Sequence, residues 1–213
     1  MEGAGQSHHD RRLELAATVL LAIAAVATAW AAYQSARWHG QQAEGQSASI
    51  AARVESTRAA NVANRQAQID VALFTQWVDA YARQETKLAG FYRKRFRREF
   101  QPAFAAWVAT RPRTNPDAPL SPFALPQYKL AATAQAERLE AQAAGASTAV
   151  GQDIQRADNY SLTVVLFAAS LFFAGISTRL PSSTARTVVL GLGYTLFFGA
   201  LIWIATFPVS LSV

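Results

Sequence analysis

Residues 13–85 read LELAATVLLAIAAVATAWAAYQSARWHGQQAEGQSASIAARVESTRAANVANRQAQIDVALFTQWVDAYARQE, and this stretch decides the fold. From Leu15 to Tyr33 it carries no Asp, Glu, Lys or Arg, and it comes close to the roughly 20 apolar residues that take a helix across a bilayer. A polar, alanine-rich continuation follows with no proline. The helix breakers in it are Gly40 and Gly45, each costing about 1 kcal/mol in a helix interior. The stretch predicts one long helix that starts in a bilayer and continues out of it, with a kink or loosened turn at the glycines.

Two further segments have the same character, Tyr160 to Leu180 and Val188 to Phe207, and neither holds a charged residue before Arg179. They account for a composition of 51% hydrophobic but only 16% charged residues, against roughly 25% charged in soluble domains. The chain therefore divides into a disordered N-terminus (1–12), a first span (13–33), an extramembrane region (34–159), a second span (160–180), a short loop (181–187), a third span (188–207) and a C-terminal tail (208–213). The expected fold class is an all-α membrane protein. Three transmembrane helices carry a long extramembrane antiparallel helical hairpin between spans 1 and 2.

A cleaved signal peptide is the rival reading of the first span, since Arg11 and Arg12 precede it and Ala27-Thr28-Ala29 has the small residues of a cleavage site. Its apolar core is longer than a signal peptide needs, and Tyr33 and Trp38 follow it like an interfacial aromatic belt. The reading adopted is therefore an uncleaved span. Within the spans, Ala24, Thr28 and Ala32, and again Gly191, Thr195 and Gly199, recur every four residues. Small side chains at that spacing let helix backbones approach closely in a membrane, so these six are the candidate transmembrane packing residues.

In the extramembrane region, Ile69, Leu73, Trp77 and Tyr81, with Val62 one heptad earlier, predict an apolar stripe that packs against partners. Residues 87–110, KLAGFYRKRFRREFQPAFAAWVAT, form an amphipathic tip. At about 100° per residue, Leu88, Tyr92, Phe96, Phe100, Phe104 and Trp107 share one arc, and Lys94, Arg95, Arg97 and Arg98 share the other, with Arg93 at its edge. Pro102 either kinks this helix or begins a second one. The favoured reading docks the aromatic face on the long helix and leaves the cations in water. Contact of Arg93, Lys94, Arg95, Arg97 and Arg98 with anionic lipid or an acidic protein surface is the alternative; nucleic acid is disfavoured, because no recognised binding motif accompanies the cluster.

Residues 111–126 hold five prolines and predict a non-helical loop, after which helical patterning resumes at Gln127 and runs into the second span. Lengths test the hairpin: at roughly 1.5 Å per residue the outgoing arm to Arg83 reaches about 75 Å and the returning arm from Gln127 about 50 Å. Either the outgoing arm breaks, or residues 87–110 fold back to fill the difference.

Arg11 and Arg12 before the first span, with Arg179 and Arg186 around the last loop, outnumber Arg37 and Arg156 on the opposite side. Positive charges beside short loops mark the cytoplasmic face. The expected orientation thus has the N-terminus cytoplasmic and the hairpin and C-terminus outside, which in a bacterial inner membrane means periplasmic.

The blocks AWAAYQSARWHGQQAEGQ, LFTQWVDAYA, FYRKRFRREFQPAFAAWVAT followed by NPDAP, and TVVLFAASLFFAGIS together resemble a family of uncharacterised bacterial membrane proteins with one N-terminal span, a helical middle and two C-terminal spans. The resemblance implies a bacterial membrane origin over nearly the whole chain and brings no activity or catalytic residue.

Cysteine is absent and only three histidines occur, His8, His9 and His39. No nucleophile with a base, phosphate loop, dinucleotide fingerprint or zinc signature is visible, so no catalytic, cofactor or metal residue is expected. The function expected is that of a non-enzymatic membrane protein presenting its hairpin for protein interaction or assembly, with the bilayer, a homo-oligomer or another membrane protein as partners. The alternatives are a channel or transporter subunit, and a sensor acting through a separate partner.

Overall fold

A computed structural model describes residues 2–210, with side chains from Arg11 onward, and among these residues every regular element is helical. Helix α1 spans Glu2–Ala82, α2 Thr86–Arg93, α3 Gln101–Ala109, α4 Ala131–Ser177 and α5 Ser183–Ile204, with a single 3-10 turn at Pro122–Ala124. Three of them, α1, α4 and α5, contain stretches long and apolar enough to cross a membrane. Helix α1 starts at Glu2, ahead of residue 13 where the sequence reading began it. The unpacked terminus expected over residues 1–12, including His8 and His9, lies up to Asp10 outside the residues whose side chains are described.

The chain divides into two compact units, Met1–Gln46 with Ser147–Val213, and Ser47–Ala146. In the first, α1, α4 and α5 pack through Ala17, Leu20, Ala24, Ala31 and Trp38, through Ala157, Tyr160, Phe167 and Ala174, and through Leu190, Phe197 and Ala200. Their approach is close because small residues sit at the contacts. A Cβ on Gly193 would lie 3.4 Å from Leu20 Cδ2, Phe173 Cβ and Ser170 O, and the Ser170 hydroxyl donates to Gly193 O at 2.9 Å. A Cβ on Gly45 would come within 2.9 Å of Val150 Cγ2. Gly40 and Gly45 do not break the helix, since α1 runs through both.

Of the small residues singled out for packing, Ala24 is fully buried and Thr28 half-buried, but Ala32, Gly191, Thr195 and Gly199 are exposed. A strict four-residue step advances about 40° beyond a full turn each time, so over two steps it leaves the contact. The faces actually used alternate steps of three and four, through Ala31 on α1 and through Leu190, Gly193, Phe197 and Ala200 on α5. The tail is held as well: the Gln34 amide donates to Ser210 O at 3.3 Å and accepts from Ser210 N at 3.0 Å. Gln41 Nε2 donates to Ser210 Oγ at 2.7 Å.

In the second unit, α1 and α4 run antiparallel, with the Ser49 hydroxyl donating to Ala143 O and the Ser56 hydroxyl to Ala136 O, each at 3.0 Å. The buried side of α1 is a seam of small residues, Ser49, Ala52, Ser56, Ala59 and Ala63, that continues into Asp70, Phe74, Trp77 and Ala80. The expected stripe is therefore rotated: Trp77 is buried, but Ile69 is 50% and Tyr81 45% exposed. Large side chains flank the seam and small ones fill it, which an apolar-periodicity reading inverts. The same register carried to the first residue of α4 pairs Ala131 with Asn61, so α1 beyond that point has no partner in α4. The segment between Thr86 and Tyr128 covers it instead, which answers the length mismatch by the second of its two solutions.

Candidate functional site

Helix α1 ends in a Schellman motif: Glu85 N donates to Ala80 O at 3.0 Å and Gln84 N to Tyr81 O at 3.1 Å, with Gln84 in the left-handed region at φ 62°. This reversal returns the chain along its own last turns. The expected tip helix 87–110 is two helices, α2 and α3, separated by turns over residues 94–100, and Pro102 stands in the first turn of α3. That is where proline's missing N–H costs least.

The tip closes over α1 through aromatic rings. Phe74 lies centrally, with ring centroids of Trp107 at 5.2 Å, Phe123 at 5.6 Å, Phe100 at 6.1 Å and Phe104 at 6.5 Å, all edge to face. Phe96 packs on Phe104 at 4.8 Å. Of the expected aromatic arc, Phe96, Phe100, Phe104 and Trp107 are buried, Tyr92 is half-buried and Leu88 is exposed. Burying a Phe or an aliphatic side chain of similar size contributes about 1.5–3 kcal/mol, so this cluster is the main anchor of the tip.

Beside the rings lies a polar knot. Asp70, fully buried on α1, accepts from Arg97 Nη1 at 3.0 Å and from the Tyr128 hydroxyl at 3.1 Å, both at Oδ2. Arg97 also pairs with Glu99 Oε2. Glu99 Oε1 accepts from Ala131 N at 2.9 Å, placing a carboxylate on the positive end of α4. Burial holds the Asp70 carboxyl above the usual carboxylate range, against the opposing pull of Arg97. Burial also raises Tyr128, which therefore stays a donor. Four segments meet here: α1, the 94–100 turns, the approach to α4 and α4 itself.

The five cations named as a contact set separate accordingly. Arg93, Lys94, Arg95 and Arg98 are exposed. Arg95 lies on the Phe91 ring, its Cζ 3.3 Å from the centroid, and Arg93 Cζ lies 6.0 Å from Phe104. Arg97 is the correction: its side chain is only 22% exposed and its charge is spent on Asp70 and Glu99, so it secures the tip. Asp70, Glu99 and Tyr128 escaped the sequence reading. The signal for Asp70 was available, because a carboxylate on the same helix face as Phe74 and Trp77 must be paired, hydrogen-bonded or protonated once it is buried. No group of three or more His, Cys, Asp or Glu side chains arranged to hold a metal occurs among the described residues.

Comparison with family models, with curated proteins and with solved structures finds no match. The family resemblance drawn from the sequence blocks rests on those blocks alone.

Proposed function

We propose that the chain is an integral membrane scaffold of the bacterial inner membrane that holds the 47–146 unit outside the bilayer as a helical hairpin and docks an anionic partner on its tip. The observation that carries this reading is the division of labour among the tip cations. Residues 86–113 contain eight Lys and Arg against the single carboxylate of Glu99, and Glu99 is already taken by Arg97 and by the start of α4. The charges of Arg93, Lys94, Arg95 and Arg98 are thus left facing outward from a tip that the aromatic cluster holds in one shape. Rigid, unneutralised positive surface steers and orients acidic partners.

Assembly into an oligomer belongs to the same reading. Gly191, Thr195 and Gly199 stand exposed on α5, the kind of small-residue face on which membrane helices of separate copies associate. The test replaces Arg93, Lys94, Arg95 and Arg98 together by Gln and follows in-cell photocrosslinking from Phe91. Loss of the crosslinked species at unchanged expression is the expected result; an unchanged crosslinking pattern would remove the tip from the interaction.

A further inference from the structure

From a cavity next to the aromatic cluster we infer that the 47–146 unit carries a binding site for a small amphiphilic anion, an aromatic or aliphatic body bearing one carboxylate or phosphate. The cavity has a volume of about 590 Å³ and lies between the end of α1 and the turn that follows α3. That is within the roughly 300–1,000 Å³ of small-molecule sites. Its walls are Trp77, Tyr81, Trp107 and Val108, and its polar edge is Arg111 and Arg113.

The walls offer mainly ring faces. Trp77 and Tyr81 are stacked at 4.9 Å, while the Trp107 indole N–H is committed to Pro119 O at 2.7 Å. The charged groups at the cavity are the two guanidinium groups, both exposed and neither in an ion pair among the described residues. Arg113 Cζ lies 5.5 Å from the Tyr81 centroid, at the meeting of apolar wall and charged edge. No acidic side chain lines the cavity. An occupant with an apolar body and an anionic end matches both halves, and guanidinium forks take carboxylate or phosphate in two parallel hydrogen bonds.

A second, independent feature is the backbone of Arg111. It follows the C-cap Thr110 of α3 with φ 55°, a left-handed conformation that Gly adopts without strain and other residues adopt at a cost. Its N–H closes on Val108 O at 3.1 Å, and its carbonyl accepts from Thr114 N at 2.9 Å and Asn115 N at 3.0 Å. The turn is held through the backbone of residue 111, which leaves its guanidinium available at the edge of the cavity. This site shares no residue with the 93–98 cluster and does not depend on it.

The test uses the full chain in nanodiscs of neutral phosphatidylcholine, titrated calorimetrically with 2-naphthoate, 2-naphthyl phosphate and the neutral 2-naphthamide. Binding of either anion at least tenfold tighter than the amide is expected, and which anion binds tells a carboxylate ligand from a phosphate ester. Arg111→Gly with Arg113→Gln is expected to weaken that binding at least tenfold at an unchanged unfolding temperature, because Gly suits the left-handed position. The inference is overturned if amide and anions bind alike, if neither anion binds, or if the double variant keeps its affinity.

Discussion

Arg97 Nη1 lies 3.0 Å from Oδ2 of Asp70, a carboxylate 27 residues earlier that is wholly out of contact with solvent. This pair joins the C-terminal part of α1 to the turns between α2 and α3, and through Glu99 to the start of α4. Breaking a buried pair leaves one charge uncompensated and costs about 3–5 kcal/mol. Arg97→Ala is therefore expected to destabilise the 47–146 unit by that order. Arg97→Met with Asp70→Leu is expected to recover much of the loss, because an apolar replacement of a buried pair removes the desolvation penalty. Thermal unfolding followed by circular dichroism checks both. Equal losses in the single and double variants would show that the pair is not coupled.

The same carboxylate sets a pH dependence. Burial raises the folded pKa of Asp70 above its ordinary value, so the folded chain binds that proton more tightly than the unfolded chain. Its contribution to stability is then fully present below the unfolded carboxylate pKa, near 4, and is lost as pH rises through the folded pKa. Asp70 Oδ1 and Gln66 Oε1, one turn apart on α1, are both buried acceptors with no hydrogen-bond partner among the described residues. The stability difference between the native chain and Asp70→Asn is expected to shift in favour of the native chain as pH falls toward 4. A difference that does not change with pH would contradict the assignment.

The two glycines in α1 are expected to respond oppositely to the same change. A Cβ at Gly40 meets nothing within 4 Å, so Gly40→Ala should gain the helix propensity of alanine, about 1 kcal/mol. At Gly45 the added methyl would press on Val150 Cγ2, and overpacking costs about 1–3 kcal/mol. Gly45→Ala is expected to give no gain or a net loss, and Val150→Ala to restore the gain in its background. Equal stabilisation by both alanines would mean that α4 does not approach Gly45 as closely as described.

The three membrane-length helices, the proline-rich loop and the aromatic docking face were legible because each rests on a coarse property: apolar length, missing backbone donors, and rings on one arc. The seam between α1 and α4 was legible only in part, as a run of small side chains whose buried register the sequence did not fix. Ser49, Ala52, Ser56, Ala59 and Ala63 carry little hydropathy, and their role comes from allowing backbones to approach, while the large apolar residues of the same stretch, Ile50 and Val54, are exposed. The split of the tip into α2 and α3 was half legible through Pro102. The reversal at Gln84 was hidden, because a glutamine holds the left-handed position that glycine usually signals. Arg97 looked like its neighbours, and only the three-dimensional partner Asp70 separates it from them.

The proposed association through α5 can be examined at Gly191 and Gly199, both exposed positions where an added Cβ meets nothing within 4 Å. Gly191→Leu with Gly199→Leu is expected to abolish self-association in sedimentation experiments in neutral detergent, leaving helix content unchanged. If the variant sediments like the native chain, this face does not mediate assembly.

Membrane orientation decides which partners the tip can meet, and the absence of cysteine makes it directly measurable. Thr114 lies exposed in the turn after α3, and Ser183 is exposed at the start of α5. Positive charges at Arg11, Arg12, Arg179 and Arg186 favour placing Ser183 on the cytoplasmic side. A single cysteine at Thr114 is then expected to react with an impermeant maleimide in intact cells, while one at Ser183 reacts only after lysis. The opposite pattern would turn the cationic tip toward the cytoplasm, where the anionic inner leaflet becomes its nearest partner. Labelling at both positions would mean that one of the three apolar helices does not cross the bilayer, and the scaffold reading would then have to be rebuilt on two spans.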